Sequence, residues 1–442
     1  MPTYGPEILG PPPRDSEQKF WDPDVQTMDP ERLRELQDER VRELMGKIFD
    51  TPVPFFVRKL RDAGIGAAED VKTVDDLRNV PLTVKQDLRD SEAEAPPYGD
   101  YRFTDLRAAV RIGTSTGTTG QPTISYWTRR DLWIEYEASA RTWWRYGYRP
   151  GMIVTHAHPA YLYSGGPMLS GSYEYFGMLN VWVPPPETDE LAEQALRFWM
   201  RVKPDIPFMG FSTGRFFEVA GKLGIDPKDA GLEFRGMPGF GMGKGMPLMT
   251  AGAECFAYLG GGCGQLPGAH LAQDWAVVQA VDPATGEEVP DGEWGDLVVT
   301  TLDRDNGLLR YDLEEACAIL REPCPCGETS IRGLWGGRFK DLIASQGKRF
   351  QANEVEGALR TVGDVTEPTV EWQMVRPGTG NEDAPLRVRV ERGTSAADDD
   401  TEVAVRCAVA IRERLGIDAE VEVLARETIP RSGYKAARVV DE

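Results

Sequence analysis

Nothing in this sequence is built to cross a membrane. No run of about 18 apolar residues occurs, and the opening MPTYGPEILGPPPRDSEQKF has neither a basic start nor an apolar stretch behind it. Cysteine is scarce. Six in 442 residues are too few for a disulfide scaffold, so thiols or metal ligands are expected, and a cytoplasmic setting with them. Positive charge is also short: 50 Lys and Arg face 71 Asp and Glu, a formal charge of −21. Such acidity disfavours binding nucleic acid through its phosphates and reads as a solvated surface. There is no internal repeat, and no Walker phosphate loop ending in Gly-Lys-Ser/Thr.

The length exceeds what one hydrophobic core serves, so two or three domains are expected. Residues 1–20 read as a surface arm rich in Pro and Gly, and 30–64 as helical. AAVRIG, near 108, reads as a strand, Arg129–Tyr146 as a helix and Met152–His156 as a short strand. A further helix starts near Asp189, with Leu191, Ala195, Phe198 and Val202 on one face. Alternating strand, loop and helix predict an α/β main domain with helix-covered sheets. The character changes after Gly337. Strands are expected at Glu367–Val375, Leu386–Glu391 and Ala419–Leu424, and helices at Asn353–Val362 and Thr401–Leu415. The reading is a large domain over 1–337 and a small α+β domain over 338–442, about the usual domain size.

The sharpest motif is TSTGTTGQPT, Thr114–Thr123, directly after a strand. Gly permits close backbone approach, and successive amides and hydroxyls can then wrap a phosphate. A flexible linker is the alternative, which the strand and helix signals pressing on both sides disfavour. A second constellation is Cys263 and His270 with Cys324 and Cys326 in PCPCGE. Three thiolates and an imidazole suit tetrahedral Zn²⁺ in a structural role, because four protein ligands leave no open position. Cys255, Cys317 and Cys407 lie in apolar stretches and are expected in the core.

The glycine-rich loop is similar to the phosphate-binding signature of the adenylate-forming superfamily, which commonly has Lys where this chain has Gln121. FWDPDVQTMDPERLRELQDERVRELM, VPFFVRKLRDAGI, LRNVPLTVKQDLRD, VDPATGEEVPDGEWGDLVVTTL and GRFKDLIASQGKRFQANEVEGAL extend the likeness. In that order they resemble the phenylacetate–CoA ligase branch from about residue 20 to the end. The resemblance implies ATP-dependent conversion of a small, aromatic carboxylic acid to its acyl-AMP, then transfer to coenzyme A. A hydroxyl or amine acceptor, a deazaflavin-adenylylating synthetase and a nucleotide-binding protein without ligase activity are the competing readings. A homodimer is left open.

Carried over position by position, the resemblance gives Ser115, Thr116, Gly117, Thr118, Thr119 and Gly120 to the ATP phosphates and Tyr258 to the adenine. It gives Glu315 to the ribose hydroxyls, with Asp312 as rival, and Arg338 to ribose or phosphate. Lys340 becomes the hinge of a mobile C-terminal domain, and Lys435, in IPRSGYKAARV, the catalytic lysine. The segment HAHPAYLYSGGP falls at the acyl pocket, so His158, Tyr161, Tyr163, Gly165 and Gly166 are candidate acid-binding residues, with structural packing as the competing reading. Zinc near the end of the large domain also fits the branch. The sequence departs at YLGGG, Tyr258–Gly262, where the family has an acid that helps hold Mg²⁺. No acid occurs between Glu254 and Asp274.

Overall fold

The computed structural model describes residues 17–50, 53–115, 121–157, 164–208, 214–226, 229, 248–252, 254–363, 371–376, 383–393, 399–430 and 438–441. Local chemistry sets most helix ends. Asp29 accepts from the Glu31 and Arg32 amides at the head of Pro30–Asp50. Thr128 and Asp131 form a reciprocal capping box on Arg129–Arg145. Thr188 caps Asp189–Val202, which stops where Lys203 turns left-handed ahead of Pro204. The helical stretch expected over 30–64 consists of two helices, Pro30–Asp50 and Pro54–Asp62.

The chain divides into two compact units. The first comprises residues 1–152, 160–179 and 246–335. Its centre is a seven-stranded sheet in the order Leu248–Ala251, Phe256–Gly261, Ala269–Leu271, Arg332–Arg338, Tyr311–Leu320, Gly295–Thr301, Ala276–Val281. A hairpin of Ala109–Thr114 and Ile124–Thr128 carries the Gly/Ser/Thr loop at its tip. The strand Phe256–Gly261 is pressed from two sides, by the neighbouring strand Ala269–Leu271 and by the helix Arg129–Arg145, so closely that glycine is obligatory at its end. A Cβ on Gly260 would stand 2.1 Å from the His270 carbonyl oxygen, and one on Gly261 2.4 Å from Thr142 Cγ2. Cys255 and Cys317 are fully buried in this core, as expected.

The second unit comprises residues 153–159, 180–245 and 336–442. One part has parallel strands Ile153–His156 and Ile206–Phe208 with helices Asp189–Val202 and Gly214–Leu223. The apolar face of Asp189–Val202 differs from expectation. Ala192, Ala195, Leu196 and Trp199 are buried, while Phe198 is exposed. Both stripes have helical spacing and share Ala195; the buried one is the i, i+3, i+4, i+7 set starting at Ala192. The other part is a four-stranded sheet in the order Ala419–Leu424, Leu386–Glu391, Trp372–Val375, Val439–Val440. The helices Ala352–Leu359 and Asp400–Leu415 contribute to its core, which includes Cys407. The mixed α/β class is as expected. Among the described residues no helix is long and apolar enough to cross a membrane.

Candidate active site

Three segments of the first unit converge at the foot of the Gly/Ser/Thr loop. Ser115 and Thr123, the two feet, are tied by three hydrogen bonds. The Ser115 amide donates to the Thr123 carbonyl at 3.1 Å. The Thr123 amide and hydroxyl each lie 3.1 Å from Ser115 Oγ. Just before the loop, the Thr114 carbonyl accepts from the Ser164 amide at 3.3 Å. Ser164 precedes helix Gly165–Phe176, so Gly165 and Gly166 are buried at its head. The Tyr258 hydroxyl donates to the Gly165 carbonyl at 3.4 Å. The foot of the Gly/Ser/Thr loop, the helix headed by Gly165 and Gly166, and the strand carrying Tyr258 are thereby in one place. Thr116 to Gly120, and His158, Tyr161 and Tyr163, lie outside the described residues.

Burial shapes this region. The Tyr258 ring is buried and packs on Trp143, centroids 5.8 Å apart. Trp143 also meets Tyr173 at 5.0 Å. Burial raises the Tyr173 and Tyr146 hydroxyls well above the ordinary tyrosine range. Under the loop, the Glu254 carboxylate takes the Thr123 hydroxyl at 2.6 Å and the Lys85 ammonium at 2.8 Å. Burial pushes this carboxyl up, and Lys85 together with Thr123 more than reverses that, so it sits below the usual range. Sequence reasoning missed this strap. The signal available was VKQDLR, which sets Lys85 and Arg89 one helical turn apart.

The remaining candidates are spread along the chain. Glu315 lies in Tyr311–Leu320 and accepts from Trp335 Nε1 at 2.7 Å. Its rival Asp312 is buried, and its Oδ1 accepts the Glu314 amide at 2.8 Å. Burial holds the Asp312 carboxyl above the usual range. In the second unit, Arg338 ends the strand Arg332–Arg338. Lys340 sits in the short helical turn Phe339–Asp341, its side chain outside the description. Lys435 lies outside the described residues.

Cys263, His270, Cys324 and Cys326 do come together, their ligand atoms all within 4.8 Å of one another. Cys263 Sγ is 3.5 Å from Cys324 Sγ, and Cys326 Sγ 3.3 Å from His270 Nε2. Four ligands around one zinc stand roughly 3.3–3.8 Å apart at ordinary bond lengths, so the set fits that ion. His270 Nδ1 faces the Ser330 carbonyl at 3.2 Å, which fixes the tautomer that leaves Nε2 to a metal. Glu328 donates its amide to Cys326 Sγ, and its carboxylate receives Arg145 Nε at 2.7 Å.

Against this geometry the likeness to known proteins is decisive. The chain is 30% identical to a phenylacetate–coenzyme A ligase of Thermus thermophilus over 96% of its own length and 99% of the relative's. It belongs to the phenylacetate–coenzyme A ligase family. A second phenylacetate–coenzyme A ligase, from Pseudomonas putida, is 25% identical over 97% of this chain and 98% of that one. Residues 352–442 match the AMP-binding enzyme C-terminal domain. The fold is that of a solved 2-hydroxyisobutyryl-CoA ligase in its postadenylation state. The TM-score is 0.83 and the identity 24%, with 97% of this chain and 94% of that chain covered. As a member of this adenylate-forming family, the chain is an ATP-dependent acid–coenzyme A ligase: it activates an acid as acyl-AMP and forms the coenzyme A thioester.

Proposed function

We propose that the acid is small and aromatic, and that the residues at the foot of the Gly/Ser/Thr loop hold it against ATP. The observation that carries this reading is the convergence of Thr114, Ser164, Gly165 and Tyr258. Adenylation needs the substrate carboxylate beside the α-phosphorus, and a fixed near-attack geometry supplies much of the rate. Here the loop foot is bonded directly to the head of the acyl-pocket helix. The buried Trp143, Tyr173 and Tyr258 give that corner an aromatic character suited to a ring. The carboxylate oxygen attacks the α-phosphorus and the bond to the pyrophosphate oxygen breaks. The coenzyme A thiol then attacks the acyl carbon, loses its proton, and AMP leaves.

The site residues form part of the same proposal. Ser115 to Gly120 cradle the phosphates, Tyr258 and Glu315 serve the nucleoside, and His158, Tyr161, Tyr163, Gly165 and Gly166 line the acid pocket. Arg338 reaches ribose or phosphate. Residues 338–442 act as a lid hinged at Lys340, and Lys435 serves adenylation alone. Zn²⁺ on Cys263, His270, Cys324 and Cys326 would be structural. ATP chemistry in this family is typically run with Mg²⁺, but the residues here do not reproduce its acidic site. Glu254, the acid at the loop foot among the described residues, is already bonded to Lys85 and Thr123, so no step is routed through the ion.

The test is a product assay by mass spectrometry with ATP, coenzyme A and a panel of aromatic and aliphatic acids. Arylacetic or aryl acids should give their coenzyme A thioesters with equimolar AMP and pyrophosphate. Turnover confined to short aliphatic acids would overturn the aromatic reading.

A further inference from the structure

The phosphate loop has Gln121 where its superfamily signature commonly carries a lysine. A cation at that point would balance the charge of the triphosphate, so its replacement by a neutral amide calls for another source. The structure supplies one from a different element. The helix Lys85–Glu94 presents Lys85 and Arg89, one turn apart, toward the loop's base. The two are in unlike states. Lys85 is paired at 2.8 Å with Glu254, whose side chain is only 6% exposed, so its charge is already balanced. Arg89 makes no ion pair among the described residues. Its Nε donates to the main-chain carbonyl of Gln121 itself at 3.0 Å. Among the described residues, its Nη2 is enclosed without a hydrogen-bond acceptor.

A guanidinium nitrogen shut away from water and left without an acceptor is unfavourable by about 1–3 kcal/mol, and such groups in native proteins call for a reason. A phosphate oxygen at the loop removes the penalty. The guanidinium plane is already fixed through Nε, which lowers the entropy lost when its fork takes an anion.

We propose that Arg89 is the cation that Gln121 does not provide. It binds the β- and γ-phosphates of ATP and holds the pyrophosphate as the bond from the α-phosphorus to its bridging oxygen breaks. The electron pair goes to the leaving oxygen, so charge grows where Arg89 stands, and its hold is stronger in the transition state than on ATP. The assignment rests on residues 115–123 being the phosphate site.

The experiment compares Arg89→Gln, Arg89→Lys, Gly117→Val and the double variant Arg89→Gln with Gln121→Lys in the full-length enzyme. The readouts are KM for ATP, acid and coenzyme A, inhibition by pyrophosphate, and the melting temperature. Arg89→Gln should raise KM for ATP about tenfold, the size of one lost charge-assisted contact. It should weaken pyrophosphate inhibition by a similar factor and leave KM for acid and coenzyme A unchanged. Arg89→Lys should fall between, and serves alone if the glutamine variant does not fold. Adding Gln121→Lys should recover most of the loss, which a purely structural role would not allow. Wild-type KM for ATP and wild-type pyrophosphate inhibition in folded Arg89 variants would overturn the proposal, as would a uniform loss for all substrates without rescue. If Gly117→Val raises KM for ATP while the Arg89 variants do not, the loop reading stands and only Arg89 falls. If neither does, the loop reading falls first.

Discussion

Two strands of the seven-stranded sheet lead into the same Cys/His cluster and differ sharply in what they carry. Phe256–Gly261 ends without side chains: after Leu259 come three glycines and then Cys263. Tyr311–Leu320 carries three acids, Asp312, Glu314 and Glu315, and leads to Cys324 and Cys326. The first difference is a matter of space, because the His270 carbonyl and Thr142 fill the volume that side chains at 260 and 261 would need. The second is a matter of charge. Glu314 adopts a left-handed φ of 55°, where its amide meets the Asp312 carboxylate. Close packing thus excludes side chains at two positions of one strand, while the other strand carries three acids, of which Asp312 is buried.

The cluster joins the ends of both strands, so removing it is the harshest way to break the comparison. Cys326→Ser should lose the metal and several kcal/mol of stability together, because binding energy at a structural zinc is folding energy. Elemental analysis should find about one zinc per wild-type chain, as four protein ligands around one ion require. Metal-free wild-type protein with unchanged melting would remove zinc from the account. Gly260→Ala should come next, at about 3 kcal/mol. Its added methyl meets a backbone oxygen that cannot rotate away, and that oxygen belongs to His270. A melting curve that matches the parent would show that the strand carrying His270 can shift within the sheet at little expense.

Much of this was readable in the sequence, and the reasons for the exceptions are physical. Helix starts at Arg129 and Asp189 were legible because Thr128 and Thr188 are local signals. The cluster was legible because four soft ligands are chemically conspicuous even at irregular spacing. The strap of Lys85, Glu254, Thr123 and Ser115 was not, because its members lie far apart in the chain and each is ordinary alone. The glycines of YLGGG looked like the loss of an acid. Only the proximity of Thr142 and His270 shows that Gly260 and Gly261 are required by packing. The exposure of Phe198 was not legible because two helical stripes pass through Ala195, and the buried one runs through Ala192, Leu196 and Trp199.

Within the acidic strand, chemistry separates Glu315 from Asp312. Asp312 is buried, and its Oδ1 already accepts a neighbouring amide. Glu315 is half-buried and accepts from an indole. Glu315→Gln should therefore raise KM for ATP about tenfold, as loss of a carboxylate that grips two hydroxyls would. Asp312→Asn should leave it within about twofold. The reverse pattern would transfer the ribose role to Asp312.

The smallest effect should come from Asp296, which pairs across the bulge with Tyr311–Leu320. Its side chain is buried, and Oδ1 has no hydrogen-bond partner. Burial, and then Asp312, Glu314 and Asp282, push its carboxyl up to about 7. In the unfolded chain an aspartate titrates near 3.9, so folding raises this pKa and the folded state holds the proton more tightly. The associated stability is fully present below about pH 4 and is lost as pH rises through about 7. Asp296→Asn keeps the shape without the charge. Relative to the parent it should be stabilised at pH 8 by on the order of 1 kcal/mol and be indistinguishable near pH 4. Paired thermal melts across that range decide the matter. An asparagine variant equally stable relative to the parent at both ends would mean that water or movement already relieves the charge. In that case the excess of acids on this side of the sheet would carry no energetic weight.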